Sequence, residues 1–339
     1  MQIKYIMTKQ PKISIIIPVY NVEEYIAECL QSVMRQTYTG AIECILVDDC
    51  GKDKSIAIAE QLISTYKGTI SFRILHHDHN RGLSAARNTG TDAATGEYVY
   101  FLDSDDYISD DCIEKLVSPL QKRDYDMVIG DYETFGDYQV PSLLFEKQNE
   151  IIGNANIFHE LAERQIPVIA CNKLYNLAFL KSINADFIEG QLHEDDLWTY
   201  KICLSASKVS ILHAVTYYYR QRGNSIVYDS RIKSKQRFDS MLYTVNYILD
   251  YKGNVNPADH TQCALTYIGK CLSYAIDGDF DFYNEYKSIR RKFRYHPIWN
   301  FIQHKISPIE LKRSIHYAFP PKIGYWYFLL RRTKAHKNK

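Results

Sequence analysis

The chain has 339 residues, of which 46% are apolar and 24% are charged. These fractions are typical of a globular protein and exclude a disordered or fibrous chain, and the length suits one large domain or two ordinary ones. The formal net charge of +1 singles out no class of partner, and no nucleic acid is expected to bind.

The eight cysteines indicate buried thiols rather than a metal site. No two of them have the C-x-x-C spacing of a zinc site, and most lie among apolar residues. Such cysteines suit a reducing cytoplasm. Residues 1–12 have no apolar core of signal-peptide length, and no stretch reaches about 18 consecutive apolar residues. A cytoplasmic protein without a spanning helix is therefore expected.

The first part of the chain alternates between strand and helix patterns. A β-branched run at Ile13–Val19 predicts the first strand. Asn21, followed three residues later by Glu24, predicts a helix cap with a capping box, and apolar residues then recur at helical spacing. The predicted elements that follow are a strand at 42–47, a helix that begins at Ser55, a strand at 72–75, a helix at 83–94 and a strand at 98–102.

This alternation predicts an α/β fold with a doubly wound, mostly parallel sheet and right-handed crossovers. The loops after strands one, two and four then meet at one edge of the sheet, which is where such sheets bind ligands. Those loops carry Tyr20, Asp49 and the acidic residues 103–106. The pattern therefore predicts a crevice that binds a nucleotide or a phosphate.

Residues 98–106 combine a buried strand with a cluster of acids. An extended backbone points the side chains of Asp103 and Asp105 the same way. Two carboxylates so placed suit Mg²⁺ or Mn²⁺, especially when substrate phosphates complete the coordination shell. The alternative is an acidic turn or a helix cap, where Asp and Ser are common.

The sequence has no glycine-rich phosphate loop. Neither G-x-G-x-x-G after the first strand nor G-x-x-x-x-G-K-[ST] occurs, so a divalent cation is the expected phosphate holder. Arg81 and Arg87 are available to add positive charge. Because Arg87 lies in a predicted helix, a solvated surface charge is the alternative for that residue.

Four segments, in order and at compatible spacing, resemble the successive motifs of family 2 glycosyltransferases. They are residues 14–21, 46–49, 80–88 and 101–106. The family has the GT-A fold and uses nucleotide-diphosphate sugars, and the resemblance covers roughly the first 220 residues. There is one departure, since the second motif commonly reads Asp-Asp-Gly-Ser where this chain has Asp48-Asp49-Cys50-Gly51.

The resemblance implies a donor site in the first half of the chain. Asp103 and Asp105 match the D-x-D pair that binds Mn²⁺ or Mg²⁺ and faces the donor, and Asp105 is expected to be the more direct ligand. The other positions match those that hold the nucleobase and ribose or contact the nucleotide-sugar. They are Pro18, Tyr20 and Asp49 for the nucleoside, and Asn80, Arg87 and Ser104 for the rest of the donor.

Three acids open a predicted helix at 194–196, where the helix dipole favours them. By the resemblance, Asp195 matches the general base of an inverting enzyme, which takes the proton of the attacking acceptor hydroxyl. Glu194 and Asp196 are expected on the acceptor side, where they shift the pKa of Asp195 or orient the acceptor. His193 is the alternative base.

Residues 217–226 also resemble a segment of bacterial members of the family. Some relatives place a metal-binding His near the position of Arg220, and an Arg cannot ligate a cation. Arg220, and with it Arg222, is therefore expected to face the diphosphate or to close over it; a basic strand end is the alternative. Upstream, 127–130 predicts a short strand, and the loop at 135–152 is expected to help choose the acceptor.

The predicted domains are a transferase domain at 1–226 and a helical extension at 227–339. Apolar residues recur at helical spacing from 236 onward, so these helices are expected to pack on the catalytic domain or on a partner chain, as in a homo-oligomer. An aromatic-aliphatic run at 323–330 precedes a basic cluster that ends at Lys339. This tail suits peripheral contact with an anionic membrane surface at the inner face of the cytoplasmic membrane. The alternative is a core-docking helix with a solvated basic end.

Together these features predict an inverting, metal-dependent hexosyl- or N-acetylhexosaminyltransferase. It would move a sugar from a nucleotide-diphosphate sugar, expected to be a UDP-sugar, to a saccharide or lipid-linked saccharide in bacterial surface-polysaccharide synthesis. A sugar nucleotidyltransferase is one alternative, but it would want a glycine-rich, basic loop directly after the first strand, and residues 20–23 are not that. A non-catalytic protein that binds nucleotide-sugars is the other alternative.

Overall fold

The structure, a computed structural model, describes residues 10–136, 148–221, 234–293, 295, 297–303 and 308–336. By its internal contacts the chain divides into two compact units, 1–225 and 226–339.

The described part of the first unit is built on a mixed sheet of nine strands. Its order is β3-β2-β1-β4-β8-β6-β9-β5, and β7 pairs with β9 outside this path. The first four strands pair in parallel, as do β6 and β9, whereas β8 runs antiparallel between β4 and β6. The strands are β1 (Ile13–Val19), β2 (Ile42–Asp48), β3 (Ser71–His76), β4 (Tyr98–Phe101), β5 (Tyr107–Ile108), β6 (Met127–Gly136), β7 (Glu150–Ile152), β8 (Lys173–Asn176) and β9 (Lys208–Gln221).

Helices flank this sheet, and the predicted α/β class with a mostly parallel sheet is confirmed. The helices are α1 (Ile26–Met34), α2 (Ser55–Thr65), α3 (Leu83–Ala93), α4 (Cys112–Val117), α5 (Asn154–Ala162), α6 (Leu177–Ser182) and α7 (Glu194–Ser205), with a short 3-10 helix at Ser118–Gln121.

The core strands are buried along their whole length. Every residue of β1 and of β4 is buried, which explains why both read as continuous apolar runs in the sequence. Because β1 pairs in parallel with both β2 and β4, the carboxyl ends of the three strands lie at the same edge of the sheet. The loops that carry Tyr20, Asp49 and 103–106 therefore leave the sheet together, as the sequence predicts.

An aromatic cluster fixes the start of α7 near this edge. Trp198, in the second turn of α7, stacks on Phe187 with ring centroids 4.3 Å apart and meets Phe101 of β4 edge-on at 5.7 Å. Its indole N–H donates to the Ala185 carbonyl at 2.6 Å. Burial of these rings holds the acidic first turn of α7 beside the end of β4.

Two local predictions are wrong. Helix α1 begins at Ile26, and Asn21 does not cap it; Asn21 has a φ of +52°, and its Oδ1 accepts from the Lys52 amide at 2.9 Å. This contact joins the loop after β1 to the loop after β2, so Asn21 has a long-range partner instead of a local one. Strand β6 extends through residue 136, well past the predicted end at 130, because it pairs with the long strand β9.

The described part of the second unit is helical, as predicted. Its core contains buried apolar side chains from several helices, among them Phe238, Met241, Ile268 and Tyr286. Among the residues that the structure describes, no helix has the length and apolar character needed to cross a bilayer. The helices are α8 (Ser234–Asp250), α9 (Pro257–Asp277), α10 (Tyr283–Lys292), α11 (Pro297–Ile302), α12 (Pro308–Ser314) and α13 (Pro321–His336), with a 3-10 turn at Ile315–Ala318.

Candidate active site

Arg87 lies at the centre of the acidic edge. From α3 it donates through Nη1 to Glu194 Oε1 at 2.7 Å and to Asp195 Oδ1 at 2.9 Å, and through Nη2 to Asp103 Oδ1 at 2.9 Å. The side chain is only 1% exposed, and its guanidinium lies 5.3 Å from the ring centroid of Phe187. The alternative of a solvated surface charge is therefore wrong. Arg87 joins the acids after β4 to the acids that open α7.

Burial and charge act against each other in this cluster. Burial alone would lower the pKa of Arg87, but the charges of Asp103 and Asp195 raise it well above its usual value, so the guanidinium stays ionised. Burial and the charge of Asp195 raise the pKa of Glu194 to about 8, although Arg87 opposes this shift. The ionised form of Glu194 is therefore disfavoured in this cluster.

Of the three acids that open α7, Asp195 presents the most surface to solvent. Its side chain is 21% exposed, and its Oδ2 accepts from the Ala170 amide at 3.1 Å. Glu194 and Asp196 are buried. His193, directly before the helix, is in the left-handed region with a φ of +59° and is partly exposed, two residues before Asp195 in the chain. The roles of Glu194, Asp196 and His193 toward an acceptor stay predictions.

Asp106 and Arg220 fix the acidic loop from the other side. The buried Asp106 carboxylate accepts from the Tyr217 hydroxyl and from the Arg220 amide, the latter at 2.7 Å. Arg220 Nε donates to the Asp105 carbonyl at 2.9 Å, and its Nη2 pairs with Glu28. The strand β9 therefore carries Arg220 to the backbone of the D-x-D loop. Arg222 lies outside the described residues.

The loop after β3 is held by Asp49. Its two carboxylate oxygens accept from the backbone amides of Arg81 at 2.8 Å and Gly82 at 2.7 Å, and His77 Nδ1 lies 2.7 Å from Oδ1. Asn80 is exposed, and its Nδ2 donates to the Asp49 carbonyl at 3.3 Å. The structure thus brings Asp49 and Asn80 together at the start of α3.

The remaining residues that are predicted to contact the donor differ in exposure. Pro18 is buried in β1, where it pairs in register with Val47, whereas Tyr20 just beyond the strand is exposed. Ser104 is buried between the two acids of the D-x-D pair. Tyr20 is therefore accessible to a ligand, whereas Pro18 is covered within the sheet.

A model of glycosyl transferase family 2 matches residues 14–183, half of the chain, and this range contains the four motifs from β1 to the D-x-D loop. The chain belongs to glycosyl transferase family 2. The resemblance that the motifs carry is confirmed, and with it the assignment as a glycosyltransferase.

Curated relatives of this family 2 glycosyltransferase are bacterial. Glycosyltransferase GlyA of Streptococcus pneumoniae is 35% identical over 230 residues, which are 65% of this chain and 32% of GlyA. TarS of Staphylococcus aureus, a poly(ribitol-phosphate) beta-N-acetylglucosaminyltransferase, is 25% identical over 321 residues, which are 91% of this chain and 53% of TarS. The matched parts are thus a third to a half of the length of these relatives.

Solved structures share the fold. The crystal structure of Staphylococcus aureus TarS in complex with UDP-GlcNAc has a TM-score of 0.68 at 21% identity, covering 91% of this chain and 90% of that chain. Mannosyltransferase PcManGT from Pyrobaculum calidifontis, in complex with GDP-Man and Mn²⁺, has a TM-score of 0.55 at 15% identity over 92% of this chain and 88% of that one. At these identities the likeness shows the fold alone.

Asp103 and Asp105 supply the ligand type that a divalent cation would take. Burial, and after it the neighbouring charges of Asp105 and Asp103, raise the pKa of Asp106 well above its usual value. Carboxylate oxygens are the ligands that Mg²⁺ and Mn²⁺ prefer. Within the described residues no group of three or more His, Cys, Asp or Glu forms a metal site, so Asp103 and Asp105 would need a diphosphate and water as further ligands.

Sequence patterns missed several residues of the site. Capping of the next turn is all that they predict for Asp106, whereas the structure shows its carboxylate tying the loop to β9. His77 lies directly after β3, and its Nε2 is 3.0 Å from the Thr89 hydroxyl. Its position at the end of a strand is the one feature of the sequence that could have marked it as a site residue. Lys173 is buried in β8, its ammonium donates to the Ile169 carbonyl, and burial lowers its pKa to about 8. A strand pattern gives no sign of such a buried lysine.

Proposed function

We propose that this chain is an inverting, metal-dependent glycosyltransferase that moves a hexose or N-acetylhexosamine from a UDP-sugar to a hydroxyl of a saccharide or lipid-linked saccharide. The observation that carries the proposal is the Arg87 cluster, in which one buried guanidinium joins Asp103 of the D-x-D pair to Asp195. A donor-side acid and the proposed base are thereby fixed in one site, as direct displacement at a sugar carbon requires.

The choice of donor and setting rests on relatives. TarS has been crystallised with UDP-GlcNAc and with UDP, and its name assigns it a poly(ribitol-phosphate) acceptor. A poly(ribitol-phosphate) beta-glucosyltransferase of Bacillus spizizenii is also related, at 31% identity over 211 residues. These relatives support a role in the synthesis of a bacterial surface polymer with hydroxyl acceptors.

Asp195 is suited to act as the general base. It is the more exposed carboxylate of the pair, with 21% of its side chain accessible against 10% for Glu194, so an acceptor hydroxyl can reach it. The Ala170 amide and Arg87 fix its orientation. An acceptor hydroxyl that loses its proton to Asp195 attacks the anomeric carbon from the face opposite the leaving diphosphate, and the configuration inverts.

On the donor side, Asp103 and Asp105 would hold the cation. Bound Mn²⁺ or Mg²⁺ would offset the charge that develops on the departing diphosphate. The chain itself fixes this loop through Arg220, which donates to the Asp105 carbonyl, and through Asp106, which accepts from β9. Arg220 already has Glu28 as a partner, so its contribution is to hold the loop in place.

The test is a donor panel with the purified chain. UDP- and GDP-sugars are offered with Mn²⁺ or with EDTA, donor hydrolysis and transfer to a saccharide acceptor are followed, and NMR assigns the anomeric configuration of the product. We expect metal-dependent turnover of a UDP-sugar with inversion. Release of pyrophosphate from a nucleoside triphosphate and a sugar phosphate would instead indicate a nucleotidyltransferase, and donor binding without turnover would indicate a binding protein.

Two variants distinguish the loss of the general base from the loss of the fold. Asp195→Asn should lower transfer by about 10² to 10⁴-fold while UDP binding persists, since a general base contributes about that much. Asp110→Asn is the matched control, because Asp110 is an exposed acid paired with Arg35 outside the cluster. Full transfer activity in Asp195→Asn would show that the base is a different residue.

A further inference from the structure

The last helix of the second unit has apolar residues on two faces. Tyr325 and Phe328 of α13 are buried against the unit, with Tyr325 packed edge-on against Phe282 at 5.0 Å between ring centroids. Ile323, Trp326 and Leu330 are exposed by 57%, 57% and 63%. Packing within the unit therefore accounts for one apolar face of this helix and leaves the other in contact with solvent.

The exposed residues form one continuous patch. Ile323, Trp326, Tyr327 and Leu330 follow the i, i+3, i+4, i+7 spacing that places side chains on one side of a helix. Phe319, just before the helix and itself exposed, extends the patch because its ring lies 5.4 Å from that of Tyr327. We call these five residues the apolar patch. Large side chains gathered in this way on a protein surface mark an interaction site.

The stretch of sequence that carries the patch is strongly basic. Residues 311–339 contain eight Lys or Arg residues and no Asp or Glu, although the whole chain has a net charge of only +1. Of these cations, Lys322 is exposed in the first turn of α13, and Lys312 is exposed in α12. Arg331 follows Leu330 directly and donates to the Lys312 carbonyl, which brings α12 beside the end of the patch. Asp279 and Asp281 line a cavity with Lys322 and Trp326, so the patch has acidic neighbours on that side, but the residues of α12 and α13 beside it are basic.

From this combination we infer that α13 binds the surface of an anionic lipid bilayer. Exposed Trp and Tyr side chains suit the headgroup level of a membrane, where their apolar rings and polar atoms are both accommodated. Lys and Arg beside an apolar helix face attract anionic headgroups. A second copy of the chain fits less well, because a two-fold contact would bring two basic surfaces face to face.

The inference is independent of the proposed sugar transfer, since it rests only on residues of the second unit. It makes the unit a peripheral anchor, with α13 lying in the plane of the interface. Such binding depends on both anionic lipid and buried apolar area, so the two contributions can be removed separately.

The test is flotation of the full chain with lipid vesicles. Vesicles of phosphatidylcholine alone are compared with vesicles that contain phosphatidylglycerol, at low and at high salt. We expect binding to the anionic vesicles at least tenfold stronger than to the neutral ones, and weaker binding at high salt because exposed charges are screened. Equal binding to both kinds of vesicle, or binding to neither, would overturn the inference.

Two variants probe the two contributions. The triple variant Ile323→Ser, Trp326→Ser, Leu330→Ser should weaken binding at least tenfold, whereas Tyr243→Ser, at another exposed aromatic of the same unit, should change it less than twofold. The charge variant Lys312→Glu, Lys322→Glu does not alter the apolar patch. It should also weaken binding at least tenfold, given about fivefold for each cation near an anionic surface.

The charge variant needs a control that has the same change in net charge. The variant Lys252→Glu, Lys287→Glu changes the net charge equally at exposed sites elsewhere in the unit and should have the smaller effect. Circular dichroism confirms that each variant is folded. If sedimentation shows a dimer that the triple variant converts to a monomer, and no vesicle binding occurs, the patch is a contact between copies of the chain and the inference fails.

Discussion

Arg87 is the residue on which the candidate site depends. It is buried, and three carboxylates from two distant parts of the chain surround its guanidinium. In such a cluster the attraction between the charges offsets the cost of removing each from water, so the loss of one partner leaves the others buried without compensation. The planar guanidinium also suits this arrangement, because it donates in several fixed directions where an ammonium is a point charge.

Replacing Arg87 should therefore destabilise the protein strongly. We expect Arg87→Met to lower the free energy of unfolding by about 3 to 5 kcal/mol, the usual cost of leaving buried charges unpaired. Arg87→Lys should recover part of the stability and little of the transfer activity. Urea unfolding at pH 7 measures the first effect, and the donor assay measures the second.

Arg35 provides the control for this prediction. It pairs with Asp110 at 2.9 Å, but both side chains are about half exposed. Arg35→Met should cost less than about 1 kcal/mol, as exposed ion pairs do. Equal losses in Arg87→Met and Arg35→Met would show that the buried cluster has no special role in stability.

At the scale of elements, Glu43 joins three parts of the parallel sheet. From β2 its Oε1 accepts from the Ser14 hydroxyl of β1 at 2.6 Å and from the Thr95 amide, in the turn before β4, at 2.7 Å. Lys12 and Arg73 lie 3.4 Å and 3.6 Å from its other oxygen. Burial opposes ionisation of Glu43, but these hydrogen bonds and the charge of Lys12 lower its pKa to about 2.

This shift predicts a pH-dependent contribution to stability. A carboxyl whose pKa is lower in the folded protein than its ordinary value of 4.5 stabilises the fold above pH 4.5, and the contribution is lost as the pH falls toward 2. Glu43→Gln should therefore lower the free energy of unfolding by about 3 kcal/mol at pH 7 and by about half of that at pH 3. Urea unfolding at the two pH values measures the difference.

The matched control is Glu60→Gln, at an exposed position of α2. It removes a carboxylate from the same unit without breaking a link between strands, so its effect should be small at both pH values. A Glu43→Gln effect that stays constant between pH 7 and pH 3 would contradict the assigned pKa.

At the scale of the whole molecule, the features that could be predicted are those that depend on residues close together in the sequence. The apolar run at Ile13–Val19 has few alternatives to a central parallel strand, so the strand, the edge of the sheet and the acidic loop at that edge could all be predicted. The partners of Arg87 could not be predicted, because Glu194 lies 107 residues further along the chain. A helical pattern around Arg87 says which residues share a face and nothing about what packs on that face.

The same limit applied to the acids themselves. Asp103 and Asp105 do follow a strand end, but the predicted extended backbone is wrong, because Ser104 and Asp105 form a turn that the Asp106 amide closes on the Asp103 carbonyl at 3.1 Å. The role of Asp106 could not be predicted, because its hydrogen-bond partner Tyr217 lies on a strand 111 residues further along the chain. Long-range polar contacts of this kind decide which acid faces a ligand and which one holds the loop, and periodicity does not encode them.

Ligand binding at this site should stabilise the whole first unit. A ligand that binds only the folded state raises the free energy of unfolding by about 2.7 kcal/mol when its free concentration is a hundredfold above Kd. We expect UDP to have this effect in the presence of Mn²⁺ and to have much less effect in EDTA, because Asp103 and Asp105 repel a diphosphate when no cation lies between them. Differential scanning calorimetry measures the shift of the transition.

Asp105→Ala should abolish the metal-dependent part of this stabilisation and leave Tm without ligand little changed, since the Asp105 carbonyl that Arg220 holds is retained. Asp110→Ala, which removes an exposed acid from the segment after the same loop, should keep the full shift. If Asp105→Ala keeps the full Mn²⁺-dependent shift, the cation is not held by the D-x-D pair. If the unaltered protein shows the same shift with Mn²⁺ and with EDTA, diphosphate binding depends on the arginines instead.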